Sequence, residues 1–111
     1  MDEQYRDMVL AVVAQVPAGR VMTYGLVAEV VADQLDAAGL GARGGPRQVG
    51  QVMSRWGGDL AWWRVVNASG RPPVVHAEQA LSHLRAEGTP LDTPGTRVLV
   101  RRAVWWPGVP G

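Results

Sequence analysis

Apolar side chains recur at helical spacing through the first half of the chain. Within residues 3 to 16 they stand at Tyr5, Met8, Val9, Val12 and Val16, and Pro17 and Gly19 follow. This pattern predicts a helix that ends near residue 16. Thr23 is a suitable N-cap for a second predicted helix. The apolar face of that helix carries Tyr24, Val27, Ala28 and Val31.

A third helix is predicted after the Gly-rich connection DAAGLGARGG. It begins at Pro46, since proline is favoured in the first helical turn, and it ends at Gly57-Gly58. Its apolar stripe consists of Val49, Val52, Met53 and Trp56. The second and third helices together resemble a helix-turn-helix, in which the start of the later helix meets DNA. Here that start carries Arg47 and Gln48.

The second half of the chain is less helical in its pattern. Residues 60–66 are predicted to be extended, and NASGRPP is predicted to be a loop. Residues 76–86 have the spacing of a fourth helix. In TRVLVRRAV, Val98 and Val100 alternate with polar or outward positions, which is typical of a half-buried strand. The predicted fold class is therefore mostly α with a small β element, in one domain over residues 1–111.

Basic residues are concentrated in the middle of a nearly neutral chain. The formal net charge is +1, and all 11 basic residues are arginine. Between residues 40 and 72, Asp59 is the only acid, whereas the arginines of that stretch are Arg43, Arg47, Arg55, Arg64 and Arg71. A basic stretch of this kind favours contact with an anionic polymer such as DNA.

The residues that are missing limit the chemistry. The chain has no cysteine, which excludes disulfides, thiolate metal sites and thiol nucleophiles. Two histidines, His76 and His83, are too few to indicate a metal site, and no cofactor is predicted. We expect no membrane span, since no apolar run is long enough, and no signal peptide. We expect a cytoplasmic protein, associated with the nucleoid if it is bacterial.

Four segments, in their order and spacing, carry a family resemblance: VPAGRVMTYGLVAEV, GGPRQVGQVM, AWWRVVNASG and LRAEG. They resemble the C-terminal domain of the O6-alkylguanine-DNA alkyltransferases, which has a winged helix-turn-helix-like fold. That family carries Pro-Cys-His-Arg-Val where this chain has Ala61-Trp62-Trp63-Arg64-Val65. A tryptophan at the cysteine position is the mark of the alkyltransferase-like proteins.

The resemblance implies that alkyl transfer has been lost. The reaction needs a thiolate, activated by an imidazole that a carboxylate orients. At the corresponding positions this chain keeps Glu87, but Trp62 stands for the cysteine and Trp63 for the histidine. Either the proton path has been abandoned, or Trp63 fills the space behind the pocket. The protein is therefore not expected to be an enzyme.

The resemblance also implies a way of binding DNA. Arg47 would enter the helix and occupy the place of a flipped base, and Tyr24 would press the 3′ phosphate of that nucleotide. The third helix would lie in the minor groove, with Gln48 and Arg71 as further DNA contacts. The lesion pocket would comprise Trp62, Arg64, Val65, Ser69 and Val75, although Arg64 is mainly structural in the family's pattern.

Several positions depart from the family's pattern. The connection over residues 33–45 is longer than usual, and Trp56 stands where an asparagine is common. The basic lesion contact of some relatives falls near Val75 or His76. Trp105 and Trp106 are either core packing or an added rim on the DNA face.

The expected partner is double-stranded DNA that contains O6-alkylguanine. A sensor of this lesion would flip the base and channel it to nucleotide excision repair proteins such as UvrA, acting as a monomer without a membrane. The alternatives are a DNA-binding regulator or architectural protein that reuses the scaffold, and a protein-interaction module. Because an extended chain alternates its side chains, only one of Trp62 and Trp63 can line a pocket, and the cysteine position selects Trp62.

Overall fold

The computed structural model describes residues 2–109, which are mostly helical. The helices are α1 (Glu3–Ala14), α2 (Tyr24–Ala37), α3 (Pro46–Trp56), α4 (Ala77–Ala86) and a short α5 (Val100–Ala103). Two short strands, β1 (Met22–Thr23) and β2 (Val65–Val66), pair in parallel. The predicted fold class is confirmed. Within residues 2–109, none of the helices has the length and apolar character needed to cross a bilayer.

Capping side chains set where the first two helices begin. The carboxylate of Asp2 accepts a hydrogen bond from the backbone N–H of Tyr5 at 3.1 Å. The hydroxyl of Thr23 accepts one from the backbone N–H of Leu26 at 3.0 Å. Each bond satisfies an N–H that has no partner within its own helix. The predicted N-cap at Thr23 is therefore confirmed.

The first three helices pack around a common apolar core. Each contributes two valines that are at most 1% exposed: Val9, Val12, Val27, Val31, Val49 and Val52. Burying one such side chain stabilises the fold by about 1.5–3 kcal/mol. The helical spacing seen in the sequence is thus the spacing that turns these valines to one side.

The small parallel sheet fixes the start of α2 against the segment that follows the tryptophan pair. Met22 pairs with Val65, and Thr23 pairs with Val66. Both residues of β2 are fully buried. Tyr24, which follows Thr23 directly, is thereby held near Trp62, although they stand far apart in the sequence.

The prediction that residues 60–66 are extended is wrong for the tryptophan pair. Residues Trp62–Arg64 form a 3₁₀ turn, and the chain is extended as a strand at Val65–Val66. The turn is closed by a hydrogen bond from the N–H of Arg64 to the carbonyl of Ala61 at 3.1 Å. Ring contacts and an ion pair made by residues 62–64 hold it, which period-2 patterning alone cannot reveal.

The prediction that TRVLVRRAV forms a strand is also wrong. Val98 makes an isolated antiparallel bridge with Leu91, Val104 makes a parallel bridge with Val21, and α5 lies between them. The N–H of Val98 donates to the carbonyl of Gly70 at 2.8 Å. Gly70 has φ +88°, and a Cβ there would collide with the carbonyl oxygen of Val98. Val98 is buried and Val100 partly buried because the segment docks on a turn and on α4, without a long strand partner.

Candidate nucleic-acid interface

A cavity of about 480 Å³ opens beside α3. Its walls come from the start of α2, one face of α3, the tryptophan turn and the segment leading into α4. The lining residues are Tyr24, Gly50, Met53, Ser54, Gly58, Trp62, Pro73, Val75, His76 and Gln79. Pockets that hold small organic groups commonly have volumes of about 300–1,000 Å³. We call this space the Trp62 cavity.

Trp62 forms an aromatic wall of this cavity. Its ring is partly exposed and meets the ring of His76 at 5.7 Å, with 60° between the ring planes. Trp63 approaches it from another side at 5.8 Å, nearly perpendicular. These edge contacts hold the indole in place while leaving it accessible to the cavity. A flat apolar surface of this kind suits stacking or edge contact with a base.

Tyr24 stands on another wall of the cavity, at the first position of α2. Burial raises the pKa of its hydroxyl above the ordinary value of 10.0. The phenol therefore stays neutral at physiological pH and can donate a hydrogen bond. Its place at a helix N-terminus, where backbone N–H groups point outward, is favourable for a phosphate.

Trp63 does not line the Trp62 cavity and bonds to Glu87 instead. Its indole N–H donates to Oε1 of Glu87 at 3.0 Å. Arg64 donates its Nε–H to the same oxygen at 3.0 Å and pairs with Oε2 through a second nitrogen. Arg64 also donates to the carbonyl of Val16 at 2.9 Å. The carboxylate is therefore shared between an indole and a guanidinium.

These bonds change the acidity of Glu87. Burial raises its pKa, but the hydrogen bonds from Arg64 and Trp63 and the charge of Arg64 outweigh burial and hold the pKa below its ordinary value of 4.5. The group is an anion at neutral pH. An indole N–H donates but does not accept, so this arrangement cannot pass a proton to a nucleophile.

His83 completes the aromatic cluster. Its ring stacks on Trp63 at 3.8 Å with 9° between the planes, and it lies 6.4 Å from the ring of Trp62. This contact was not predicted from the sequence. The one available signal was that His83 falls four residues before Glu87, which is the C-cap residue of α4.

Arg47 is exposed in the first turn of α3, and Arg55 is exposed in the last turn. Both can reach a polyanion that lies along this helix. Gln48, which was predicted to contact DNA, uses its side-chain oxygen to accept a hydrogen bond from the N–H of Gly45 at 3.0 Å. It thus helps to begin α3.

The predicted pocket residues divide into two groups. Trp62 and Val75 line the cavity, and Val75 is 85% exposed. Arg64, Val65 and Ser69, which were also predicted to form the lesion pocket, are not among the residues that line this cavity. Arg64 is bound to Glu87, and Val65 is fully buried in the sheet. Ser69 is exposed in the turn after β2.

Arg71 also lies outside the Trp62 cavity. The side-chain oxygen of Asn67 accepts hydrogen bonds from the backbone N–H of Ser69 at 3.0 Å and of Arg71 at 2.9 Å. This bonding shapes the turn and leaves the Arg71 side chain exposed. It remains a predicted DNA contact from the surface, separate from the pocket.

Six further residues that line the cavity were not predicted: Gly50, Met53, Ser54, Gly58, Pro73 and Gln79. Gly50, Met53 and Ser54 are spaced by three and four on α3 and share one face of it, and Gln79 faces the cavity from α4. Because the side chains of Gly50 and Ser54 are small, that face of α3 projects little into the cavity. The sequence spacing of these residues indicates that they share a face of the helix, but it does not indicate that this face borders a pocket.

Some of the remaining aromatic residues are now placed. Trp105 is buried at 7% exposure, whereas Trp106 is 44% exposed. Trp56 packs partly against the core, with the guanidinium of Arg6 at 5.2 Å from its ring. Among residues 2–109, no group of three or more potential ligands is arranged to hold a metal ion.

The sequence matches the family described as the DNA binding domain of 6-O-methylguanine DNA methyltransferase over residues 4–89. The chain belongs to this family. The Trp62 cavity and α1–α4 fall within the matched range, apart from Glu3 at the start of α1. The match ends before α5 and the Trp105-Trp106 pair.

Relatives agree with this membership of the methyltransferase DNA binding domain family. A DNA base-flipping protein of Vibrio parahaemolyticus is 28% identical, covering 95% of this chain and 99% of the relative. The crystal structure of S. pombe Atl1 with DNA containing O6-carboxymethylguanine is similar in fold, with a TM-score of 0.74 at 24% identity, covering 96% and 99%. Another structure of S. pombe ATL with DNA has a TM-score of 0.64 at 28% identity, covering 96% and 98%.

Proposed function

We propose that this protein is a non-enzymatic sensor of O6-alkylguanine in duplex DNA. The base would leave the helix through the minor groove and enter the Trp62 cavity. The observation that carries the proposal is the position of Trp62 on an open cavity beside the arginine-bearing helix α3. This proposal takes Trp62 to correspond to the reactive cysteine of the alkyltransferases, and it is supported by a chain that contains no cysteine.

The surroundings of Trp62 support binding without chemistry. An indole is not a nucleophile at neutral pH, so the alkyl group stays on the guanine. Trp63 occupies the histidine position of the resemblance and keeps a hydrogen bond to Glu87 at 3.0 Å, but it has no lone pair with which to take a proton. The hydrogen bond between Trp63 and Glu87 therefore stabilises the fold and is not used for proton transfer.

Arg47 and Tyr24 supply the means of flipping. Extruding a base costs a few kcal/mol of stacking and pairing. The guanidinium of Arg47 is exposed where α3 begins, so it is free to enter the vacated place and to stack on neighbouring bases. Tyr24 is set where α2 begins, beside the cavity, so it can press on the phosphate of the rotated nucleotide.

A sensor of this kind needs other proteins to complete repair. Since the lesion remains on the DNA, the complex would mark the site for nucleotide excision repair proteins such as UvrA. We place this activity in the cytoplasm, on chromosomal DNA, with the protein acting as a monomer.

The test is a binding titration with two duplexes that differ at one guanine, O6-methylated or not, at one stated salt concentration. We expect affinity for the alkylated duplex to be at least about tenfold higher, equivalent to about 1.4 kcal/mol. Equal affinities would instead support a DNA-binding regulator that reuses the scaffold. Absence of salt-dependent binding to either duplex would support an interaction module.

A further inference from the structure

A second, larger groove shares no lining residue with the Trp62 cavity. It is open, has a volume of about 860 Å³, and runs between α2, residues 44–46 and the C-terminal segment. Small side chains of Ala28 and Ala32 line it, and so does Trp106, which is 44% exposed. The exposed tryptophan and the small residues beside it form an apolar surface patch whose exposure to water is unfavourable.

The charges of this groove have one sign. Glu29 and Asp33, one turn apart on α2, are the charged residues among those lining it. Neither forms an ion pair with a residue in the described part of the chain. The whole of α2 carries no Arg, Lys or His. Like charges at this spacing repel each other. A cation bound between the two carboxylates would therefore reduce their repulsion and stabilise α2.

The charge also decides what does not occupy the groove. A phosphate backbone would be repelled by the two carboxylates, whereas exposed Arg47 and Arg55 attract it to α3. The groove is therefore a separate surface from the DNA interface.

We propose that this groove binds a basic segment of another protein, one that presents an arginine or lysine next to an aliphatic or aromatic side chain. The cation would lie between Glu29 and Asp33, where a guanidinium can pair with carboxylates through two nitrogens. The apolar neighbour would pack on Trp106. Both chemical features of the groove are then used by one occupant.

The test selects ligands from a random 12-residue peptide library displayed on phage, on the immobilised full chain without DNA. Selected peptides are synthesised and titrated against the wild type and three variants. The variants are Trp106→Ala, Glu29→Gln/Asp33→Asn, and a control, Glu3→Gln/Glu78→Gln, which removes two exposed acids that do not line the groove. Circular dichroism melts establish that each variant is folded.

We expect the selected peptides to carry arginine or lysine beside an apolar residue. Their affinity should fall at least about tenfold in each of the first two variants and remain unchanged in the control. Selection of uncharged or acidic peptides, equal loss in the control, or no enriched peptide at all would overturn the proposal. So would a dimer in sedimentation velocity that Trp106→Ala abolishes, because the occupant would then be a second copy. Since no DNA is used, failure here is distinct from failure of the lesion-sensor function.

Discussion

The indole N–H of Trp63 donates to Oε1 of Glu87 at 3.0 Å, in a 3₁₀ turn whose next residue, Arg64, binds the same carboxylate. The bond has the geometry in which a histidine would be oriented by an acid. Unlike an imidazole, the indole of Trp63 has no second ring nitrogen with which to accept a proton, so it cannot act as a base. Restoring a thiol alone would therefore leave that thiol without an imidazole at position 63 that Glu87 orients.

We expect Trp62→Cys to transfer little or no alkyl group. Incubation with a duplex carrying radiolabelled O6-methylguanine should leave the label on DNA, as for the wild type. Trp62→Cys/Trp63→His is the matched comparison, because it adds an imidazole within reach of Glu87, and its transfer should exceed that of the single variant. Rapid labelling of the single variant would show that the proton path does not pass through position 63.

Trp62→Ala should weaken binding to alkylated DNA by about 1–3 kcal/mol, the range for loss of an aromatic contact with a base. Its melting temperature should change little, because the ring is partly exposed on the cavity wall. Trp106→Ala is the control, since it removes an exposed tryptophan outside the cavity and should leave lesion affinity unchanged. Similar losses in both variants would mean that the cavity does not hold the base.

Trp63→Ala should act on stability instead. The ring is partly buried, stacked on His83 and bonded to Glu87. We expect the free energy of unfolding to fall by about 1–3 kcal/mol, below the 3–5 kcal/mol of a fully buried tryptophan. Trp63→Phe keeps a ring but lacks the N–H, so it should lose less in urea titrations. A large loss of lesion affinity with unchanged stability would place Trp63, not Trp62, against the base.

Arg47→Ala should weaken lesion binding by about 1–3 kcal/mol, as for loss of a specific base contact. Arg55→Ala removes the same charge from the other end of α3 and should have a smaller effect. A 2-aminopurine at the target position should lose its unstacking signal with Arg47→Ala and keep it with Arg55→Ala. Identical signals for both variants would mean that Arg47 contributes charge alone.

Glu87 should make stability depend on pH in the acid range. Its pKa in the folded protein lies below the ordinary value of 4.5. As the pH falls from that value towards the folded pKa, the unfolded chain binds a proton before the folded chain does, so the free energy of unfolding decreases. Glu87→Gln lacks this group, and urea titrations between about pH 3 and 6 should give a shallower decrease. Asp2 and Asp92, whose pKa values are also lowered, titrate in both proteins and cancel from the comparison. Parallel curves would contradict a role for the Glu87 carboxylate.

Local signals predicted the helices well. Thr23 and Pro46 act on backbone groups within a few residues, so their effect is readable without a tertiary structure. The turn at Trp62 and the docking of Val98 on Gly70 depend on residues far along the chain. No local pattern contains them, and alternation was therefore read as strand in both places.

Part of the candidate nucleic-acid interface could also be predicted from the sequence. The family resemblance selected Trp62, Tyr24 and Arg47. The first two line the Trp62 cavity, and the DNA-binding roles of all three stay predictions. The stack of His83 on Trp63 and the small face of Gly50 on α3 arise where separate elements pack together, so spacing within one element could not reveal them.

The parallel bridge between Val21 and Val104 also bears on how the chain folds. Next to it, Arg20 donates to the carbonyl of Ala103, which lies 83 positions along the chain. Closing so long a loop costs more conformational entropy than joining adjacent helices, so contacts among α1, α2 and α3 should form earlier during folding. Until the C-terminal segment docks, Val21 and Val66 lack the part of their apolar cluster that Val98 and Ala103 supply. Docking of the C-terminal segment against the sheet is therefore expected late in folding.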